Sequence, residues 1–594
     1  MSHSVNGYVQ QAWRLDDLFP ALQAPEIEAA VTELKELLAA MEDFRPKLLP
    51  NLEPAAFQAL LALYEQTTRT LYRLYAFGSL SFAQDTQNQA ALTYLGRMQQ
   101  LSAESQNRLL FFELWWKELD DANAARLQAA AGDFRYWLDS LRREKPYTLS
   151  EAEERIVNLK NVNGRQAMDQ LYDAITNRYT FKLTIDGQEQ ELTRAELSTH
   201  YRSADPSLRQ AAFDELLRVY AQDAPILGQI YHYIVRDWQS EFIRLRRYNE
   251  PIAVRNLSND IPDAVVDTLL TVAQANAGLF QRYFRLKARW LNLKRLRRYD
   301  LSAPVAVADK NYSFGESVHL VLDSFEQFDP RLAALAQRVF DDRHYDSEVR
   351  KGKMGGAFCA TVTPALTPWV LQSFNGKPED VATMAHELGH AIHAMLAEHH
   401  TALTQHSSLP LAETASTFGE MLLVNVLLAT DPDPAVQRAL LFKQMDDAYS
   451  TVMRQIYFAL FERTAHARVS AGASVNDLCA LYLANLHEQF GDAVEIGDNF
   501  QYEWVAIPHI YGTPFYVYAY AFGQLLVYAL YRQFRQEGEP FKARYLNILS
   551  AGGAEAPVEI LKQAGIDVYS AEFWQGGFDV IGELLAQLEA LPLP

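Results

Sequence analysis

The sequence contains very little cysteine and no excess of positive charge. Cys359 and Cys479 are the only cysteines among 594 residues, which excludes a disulfide framework and fits a reducing compartment. The formal net charge of −20 argues against nucleic acid as a partner. The first residues, Met1 to Gly7, lack the basic and apolar stretches of a secretory signal. We therefore expect a cytoplasmic protein that binds no nucleic acid.

Long runs without a charged residue are also scarce. The run over 510–531 contains no charged residue and could be taken for a membrane span. Its 22 residues are enough to cross a bilayer on length alone. However, the run contains Gly512, Pro514, Gly523 and six tyrosines. We interpret it as a buried core helix and expect no membrane partner.

Positive charge is concentrated between Arg282 and Arg298, where eight lysines and arginines occur. Leu286 and Trp290 interleave with them at helical spacing, so the segment predicts an amphipathic helix whose basic face lies in solvent. A surface that binds the C-terminal carboxylate of a peptide is the alternative interpretation.

The hydrophobic pattern is helical nearly throughout the chain. Apolar residues recur with a period of 3.6 in long runs, for example over 27–41 and 57–77. The segment Phe181 to Gln188 instead predicts a β-hairpin that turns on Asp186-Gly187. We place the domain boundary at this hairpin, near 181–193. It separates an N-terminal helical lobe, 1–180, from a second lobe, 181–594.

The most informative motif is the run His386-Glu387-Leu388-Gly389-His390. On a helix, positions i and i+4 lie on one face, so His386 and His390 can reach the same metal ion. Glu387 supplies a carboxylate that can accept a proton from water. This pattern, H-E-x-x-H, is typical of zinc hydrolases. It predicts a metal site with one Zn²⁺ per chain, although Co²⁺ or Mn²⁺ can occupy similar ligand sets.

The sequence around the motif predicts the helix that it requires. Pro378 suits a first helical position, and Glu379 and Asp380 place negative charge in the first turn. Apolar residues then recur at helical spacing from Val381 to Leu396.

The pattern alone leaves the third metal ligand open between two carboxylates. His393 and Leu396 stand where a metzincin has glycine and histidine, so that class is excluded. Glu413 and Glu420 lie on a second predicted helix and are seven residues apart, so both can point towards the metal. We favour Glu413 as the ligand and Glu420 as a partner of a ligand histidine.

Further segments resemble the oligoendopeptidase F family, which are zinc peptidases related to thimet oligopeptidase. The matching segments are Met354–Phe358, Pro368–Phe374, the motif helix, Glu413–Ser416 and, near the start, Trp13–Phe19. The resemblance covers nearly the whole chain. It implies that Glu413 is the third zinc ligand, and that Glu420 and His393 support the ligands without binding the ion. It also implies a mainly α, two-lobed zincin-type fold with a deep substrate cavity and a small β element beside the zinc helix.

The resemblance implies roles for a later segment as well. There His509 and a tyrosine, Tyr516 or Tyr518, would donate hydrogen bonds to the substrate carbonyl and its oxyanion, and Tyr511 would contact the substrate. The chemistry needs such donors, because water attack on a peptide carbonyl places negative charge on its oxygen. Taken one at a time, each tyrosine favours core packing over a catalytic role.

Residues before the motif helix predict a peptide-binding element. Thr367 to Phe374 has the composition of a strand, and an edge strand there could pair with an extended substrate. Gly355 and Gly356 allow close approach of a substrate backbone, although an ordinary loop pair is the simpler interpretation. The resemblance favours substrate contact.

We therefore predict a zinc-dependent endopeptidase of short unstructured oligopeptides, with Glu387 as general base and acid. Two alternatives remain: a helical zinc carboxypeptidase that trims C-terminal residues, and an inactive scaffold that binds peptides. The intact Glu387 argues against the scaffold. The sequence indicates neither an oligomeric state nor a cleavage-site preference.

Overall fold

The computed structural model describes residues 7–305, 310–430 and 433–592, and the fold is mainly α, as predicted. The expectation of no secretory signal rests on Met1 to Gly7, and residues 1–6 of this segment lie outside the described residues. Cys359 and Cys479 are both free thiols.

The chain forms two compact units, each assembled from separate segments. The first unit comprises Met1–Lys145, Asp309–Thr430 and Gln533–Ile566, and the second comprises Pro146–Ala308, Asp431–Arg532 and Asp567–Pro594. The predicted division places a single boundary between the lobes 1–180 and 181–594, whereas each unit here consists of three segments. The predicted division stays a prediction.

Helices make up most of the first unit. Many of them begin with proline at the first helical position, where its missing N–H leaves no hydrogen bond unmade. They are Pro25–Glu42, Pro54–Gln84, Gln89–Glu118, Asp121–Gln128, Arg135–Arg142, Phe314–Phe328, Pro330–Asp341, Pro378–Leu396, Leu409–Ala412, Ser416–Thr430, Glu539–Ser550 and Pro557–Gln563.

The second unit is also built from helices, two of which end in a π-helical segment, Gln239–Leu245 and Tyr449–Met453. The α-helices are Glu151–Asn163, Arg165–Thr176, Arg194–Thr199, Pro206–Trp238, Ala253–Asn259, Asp263–Ala275, Ala277–Trp290, Pro434–Ala448, Arg454–Ser470, Val475–Phe490, Pro508–Gly512 and Ala571–Ala590. One further helix, Tyr518–Glu537, belongs to this unit as far as Arg532.

Short strands complete the two units. In the first unit, Trp369–Gln372 is the middle strand of a three-stranded sheet. It pairs in parallel with Tyr345–Asp346 and antiparallel with Ala357–Ala360. In the second unit, Leu296–Arg297 pairs in parallel with Val494–Glu495. We call Ala357–Ala360 the edge strand, because among the described residues it has a sheet partner on one side only.

The predicted hairpin is confirmed. Phe181–Ile185 pairs antiparallel with Gln188–Leu192. The two turn residues, Asp186 and Gly187, have φ of 51° and 79°. Both values lie in the left-handed region that a type I′ hairpin turn requires.

Aromatic side chains form the core of the N-terminal helices in the first unit. The rings of Phe57 and Trp116 stack at 5.4 Å between centroids, and those of Phe112 and Trp137 stack at 5.9 Å. Such pairs add about 0.5–1.5 kcal/mol each beyond the area that they bury. Trp369 and Leu371 belong to the same buried cluster, which therefore connects these helices with the three-stranded sheet.

Two apolar stretches resemble membrane spans by composition. The run over 510–531 forms a buried helix only from Tyr518 onwards, after a short helix and a turn. Among the described residues, Leu409–Thr430 is the one helical stretch that is long and apolar enough to span a membrane, but 67% of its most apolar window is buried. This is weak evidence for a membrane span, since core helices of soluble proteins pass the same test.

The basic segment is only partly the solvated helix that we expected. The helix ends at Trp290, and Lys287 within it is completely buried. Its ammonium donates to both carboxylate oxygens of Asp446, at 2.7 and 2.8 Å, and to the carbonyl of Leu301. A buried ammonium requires such acceptors, because the loss of its hydration is otherwise unfavourable.

A partly buried ion pair joins three segments of the first unit. The His400 Nδ1 lies 2.8 Å from Asp133 Oδ1, and its Nε2 lies 3.0 Å from the carbonyl of Ser550. The Thr404 hydroxyl donates to the other Asp133 oxygen at 2.6 Å. Burial alone would raise the pKa of Asp133, but the bonds from His400 and Thr404 lower it to about 2. The bond to Asp133 raises the pKa of His400.

This pair should make stability depend on pH. The raised pKa of His400 stabilises the fold fully below 6.5, its ordinary value, and the effect is lost as pH rises through the folded pKa. The lowered pKa of Asp133 stabilises the fold above 3.8, and this effect is lost as pH falls towards 2. We expect His400→Gln to lower the free energy of unfolding more at pH 5 than at pH 9, measured by urea denaturation. An equal loss at both pH values would contradict this.

Candidate metal centre

The predicted motif helix is confirmed, with the bounds Pro378–Leu396. Asp380 caps its first turn, since its Oδ2 accepts the backbone N–H groups of Asn375 at 2.9 Å and Lys377 at 3.0 Å. The negative charge there also suits the positive end of the helix dipole. We call this element the histidine helix.

The structure brings His386, His390 and Glu413 together. One ligand atom from each residue lies within 4.8 Å of the others. Glu413 Oε2 is 3.4 Å from His386 Nε2 and 3.5 Å from His390 Nε2. The two imidazole rings stand edge to face, with centroids 4.9 Å apart. Three possible metal ligands therefore converge on one point, and Glu413 rather than Glu420 is the carboxylate nearest to both Nε2 atoms.

The donor set fits a tetrahedral metal ion. Nitrogen and oxygen ligands bind zinc at about 2.0–2.2 Å, which places tetrahedral ligands about 3.4 Å from one another. The two distances to Glu413 agree with that spacing. Two imidazoles and a carboxylate also form the ligand set of known catalytic zinc sites, which leave a fourth position open.

Neighbouring side chains hold these groups in place. The Ser416 hydroxyl donates to Glu413 Oε2 at 2.7 Å. Glu420 Oε1 lies 3.3 Å from His386 Nδ1, so its carboxylate orients that ring from behind. His393 is buried and hydrogen-bonds the backbone of Ala412, one residue before Glu413. Glu420 and His393 therefore stand where the predicted supporting roles place them, and both stay predictions as to function.

Burial and mutual charge shift the protonation of these groups. Burial alone lowers the pKa of His386, but Glu420 and Glu413 outweigh it and raise the value to about 9. Burial lowers the pKa of His390 to about 4 and raises that of Glu387 to about 7. Several carboxylates thus face two imidazoles in a partly buried site, which is an environment that attracts a cation.

Close contact between two helices sets the position of Glu413. Gly389 of the histidine helix faces the start of the helix Ser416–Thr430. A Cβ at Gly389 would lie 2.6 Å from the Ala415 carbonyl oxygen and 2.6 Å from the Ser416 Cα. Only glycine permits this approach, so Gly389 helps to set the spacing between the two histidines and Glu413. The prediction that Glu413 and Glu420 share one helix was wrong, because Glu413 lies in the turn before Ser416–Thr430 and only Glu420 lies on that helix.

We predict that Gly389→Ala weakens metal binding at least tenfold. The methyl group must push the Ala415 segment away, and overpacking of this kind costs about 1–3 kcal/mol. Glu413 would move with that segment. Competition with a chromophoric chelator measures the affinity, and Gly278→Ala, where a Cβ meets nothing within 4 Å, is the control. Unchanged affinity in Gly389→Ala would contradict the prediction.

A cleft of about 570 Å³ opens over the ligands. The edge strand forms one wall, while His386, Glu387 and His390 lie on the histidine helix. The prediction that Thr367–Phe374 supplies an edge strand was wrong. Residues Trp369–Gln372 form the middle strand, because Tyr345–Asp346 supplies a partner that sequence spacing did not reveal. Gly355 and Gly356 directly precede the edge strand, and Gly356 has φ of 85°.

The late histidine and tyrosines belong to the second unit. His509 is exposed and Tyr516 is half-buried, and their rings are nearly parallel at 6.4 Å between centroids. Tyr520, which the sequence analysis did not single out, packs edge-on against both rings. His509, Tyr516 and Tyr520 therefore form one aromatic group.

Tyr511 and Tyr518 are core residues. Tyr511 is 1% exposed, stacks on Tyr172 and donates to the carbonyl of Leu227. This burial argues against the substrate contact predicted for it. Tyr518 is also fully buried, and its hydroxyl accepts a hydrogen bond from Asn259 at 3.0 Å. Of the two tyrosines proposed as donors, Tyr516 is the accessible one.

Known proteins resemble this chain over nearly its whole length. The profile of peptidase family M3 matches residues 199–580, and that of oligopeptidase F matches residues 115–181. Oligopeptidase PepF of Bacillus subtilis is 27% identical over 98% of this chain and 87% of its own length. Group B oligopeptidase PepB of Streptococcus agalactiae is 26% identical over 98% of this chain and 96% of its own.

Solved structures share the fold. A chain from Chlamydophila abortus has a TM-score of 0.88 at 24% identity and covers 98% of each chain. Oligoendopeptidase F from Enterococcus faecium has a TM-score of 0.70 at 23% identity, over 95% of this chain and 98% of its own.

The helical fold and the converging ligands define a metallopeptidase. The matched profile spans most of the chain, which therefore belongs to peptidase family M3. The predicted resemblance to oligoendopeptidase F and the predicted enzyme class, a metalloendopeptidase, are confirmed.

Proposed function

We propose that this protein is a cytoplasmic, zinc-dependent endopeptidase that cleaves internal bonds of short, unstructured oligopeptides. The observation that carries the proposal is the convergence of His386, His390 and Glu413 beside Glu387 in an open cleft. The curated relatives named oligopeptidase or oligoendopeptidase support the choice of substrate.

His386, His390 and Glu413 would hold one zinc ion per chain. When bound, zinc polarises a carbonyl and lowers the pKa of a water ligand. Glu420 keeps the His386 ring in the orientation that presents Nε2, and Ser416 keeps the Glu413 carboxylate in place.

Glu387 moves the protons. Its carboxylate follows His386 on the same helical turn and lines the cleft. It accepts a proton from the attacking water and later donates one to the leaving amine.

The edge strand binds the substrate backbone. Ala357–Ala360 pairs on one side with Trp369–Gln372, which leaves its other side for an extended peptide. Such pairing recognises the peptide main chain and requires little of its sequence. Gly355 and Gly356 admit a backbone next to the strand.

His509 and Tyr516 stabilise the developing oxyanion. A phenol stays protonated at neutral pH and can donate to negatively charged oxygen. One such donor contributes about 3 kcal/mol to lowering the barrier. Tyr516 is preferred over Tyr518 because its ring is accessible.

The two alternatives make different products. A carboxypeptidase would release single C-terminal residues and would need a basic group for the free carboxylate. An inactive scaffold would bind peptides and metal without cleavage.

A ladder of end-blocked peptides, about 6 to 30 residues long, separates these functions by mass spectrometry. We expect internal cuts that disappear with a chelator and in Glu387→Gln, and that fade for the longest peptides. Stepwise trimming of unblocked peptides alone would establish the carboxypeptidase. If the zinc-loaded protein cleaved no peptide, the inactive peptide-binding scaffold would be the remaining function.

A further inference from the structure

The segment that carries Tyr516 contains a strained residue. We call residues 511–518 the tyrosine turn. Phe515, directly before Tyr516, has φ of 59°, a left-handed conformation that is unfavourable for a bulky side chain. Strain of this kind persists only where surrounding groups enforce it, and it concentrates at functional sites.

Glu462 is the group that enforces this conformation. It lies on the helix Arg454–Ser470 and has no exposed surface. Its Oε1 accepts the backbone N–H of Phe515 at 2.9 Å. The Phe515 ring packs against His466, one turn further along the same helix, at 4.7 Å between centroids.

The burial of Glu462 is unfavourable for stability. Its Oε2 is buried and has no hydrogen-bond partner among the described residues. Burial raises the pKa of this carboxyl to about 8. An apolar side chain of the same size would avoid this desolvation but would leave the buried Phe515 N–H without its acceptor. A polar group retained at such a position is expected to serve function rather than stability.

Other polar side chains fix the turn on either side of Phe515. Arg255 Nε donates to the carbonyl of Pro514 at 3.3 Å, and Asn259 donates to the Tyr518 hydroxyl at 3.0 Å. Both come from one helix, Ala253–Asn259. Tyr516 lies between these anchors, so its direction depends on the Phe515 peptide.

We infer that Glu462 is a positioning residue for Tyr516. Its Oε1 holds the Phe515 N–H, which keeps the turn in its strained form and aims the Tyr516 phenol at the substrate carbonyl oxygen. This inference rests on the proposed function, in which Tyr516 donates a hydrogen bond to that oxygen. Glu462 itself does not touch the substrate.

The test compares two replacements. Glu462→Leu removes the acceptor, and we expect kcat to fall about 10–100-fold with KM nearly unchanged, because a displacement near 1 Å can cost that much. Glu462→Gln keeps an oxygen for the Phe515 N–H and should retain kcat within about threefold. Thermal unfolding shows that each variant is folded. A folded Glu462→Leu variant with wild-type kcat would overturn the inference.

A double-variant cycle shows whether Glu462 acts through Tyr516. Tyr516→Phe should lower kcat about 10²–10³-fold. In that background Glu462→Leu should add a further loss of less than about twofold, since coupled residues are not additive. Multiplicative losses would overturn the inference. If Tyr516→Phe retained kcat, the proposed donor role would fail instead, and wild-type protein without peptidase activity would refute the proposed function itself.

Discussion

The variant Glu387→Gln should lose about 10³–10⁴-fold in kcat while keeping its metal, because an amide cannot accept the proton from water. The Glu387 side chain lines the cleft beside His386. It is not one of the three possible metal ligands, and it does not take part in the close contact between helices at Gly389. Substrate binding should therefore change little. Peptide hydrolysis followed by mass spectrometry, together with metal content by plasma emission, measures both quantities.

The matched control is Glu379→Gln on the same helix. Glu379 is exposed in the first turn, and the same chemical change there should leave kcat within about twofold. Metal loss in Glu387→Gln would show that this carboxylate is a ligand. Retained activity would remove it from the proton-transfer step.

Replacing Glu413 should abolish metal binding. We expect Glu413→Ala to retain less than about a tenth of the wild-type metal after dialysis, because a three-residue site loses its only anionic ligand. Glu420→Ala should still bind metal, with affinity lower by about 10–100-fold, as for other residues that orient a ligand. Equilibrium dialysis against a chelator distinguishes the two variants.

Comparing metal binding by Glu413→Ala and Glu420→Ala also decides which carboxylate is the ligand. The pattern of residues left both open, and Glu413 lies 3.4 and 3.5 Å from the two Nε2 atoms whereas Glu420 faces Nδ1 of His386. If Glu420→Ala lost metal and Glu413→Ala kept it, the two roles would be exchanged. Thermal unfolding in excess metal verifies that both variants are folded.

The elements that sequence could predict are those governed by local rules. The histidine helix follows from a proline and acidic residues in its first turn and from apolar residues at helical spacing between Val381 and Leu396. The hairpin follows from Asp186-Gly187 between two strands. The position of His386 and His390 on one face follows from helical geometry. In each case the cause lies within a few residues of the effect.

Contacts between distant segments could not be predicted in this way. The middle position of Trp369–Gln372 depends on Tyr345–Asp346, and the role of Gly389 depends on Ala415. The burial of Lys287 depends on Asp446, more than 150 residues away. Likewise, Tyr511 and Tyr516 have the same chemistry, and only packing separates the buried ring from the accessible one.

If the edge strand binds peptides as proposed, its shortness would limit how far digestion can proceed. Four residues at about 3.3 Å each offer roughly 13 Å of main chain to a bound peptide. A fragment of two residues could form only a part of those hydrogen bonds and would dissociate readily. The products of one cleavage would therefore compete poorly with intact peptides, and breakdown would stop at small fragments rather than at free amino acids.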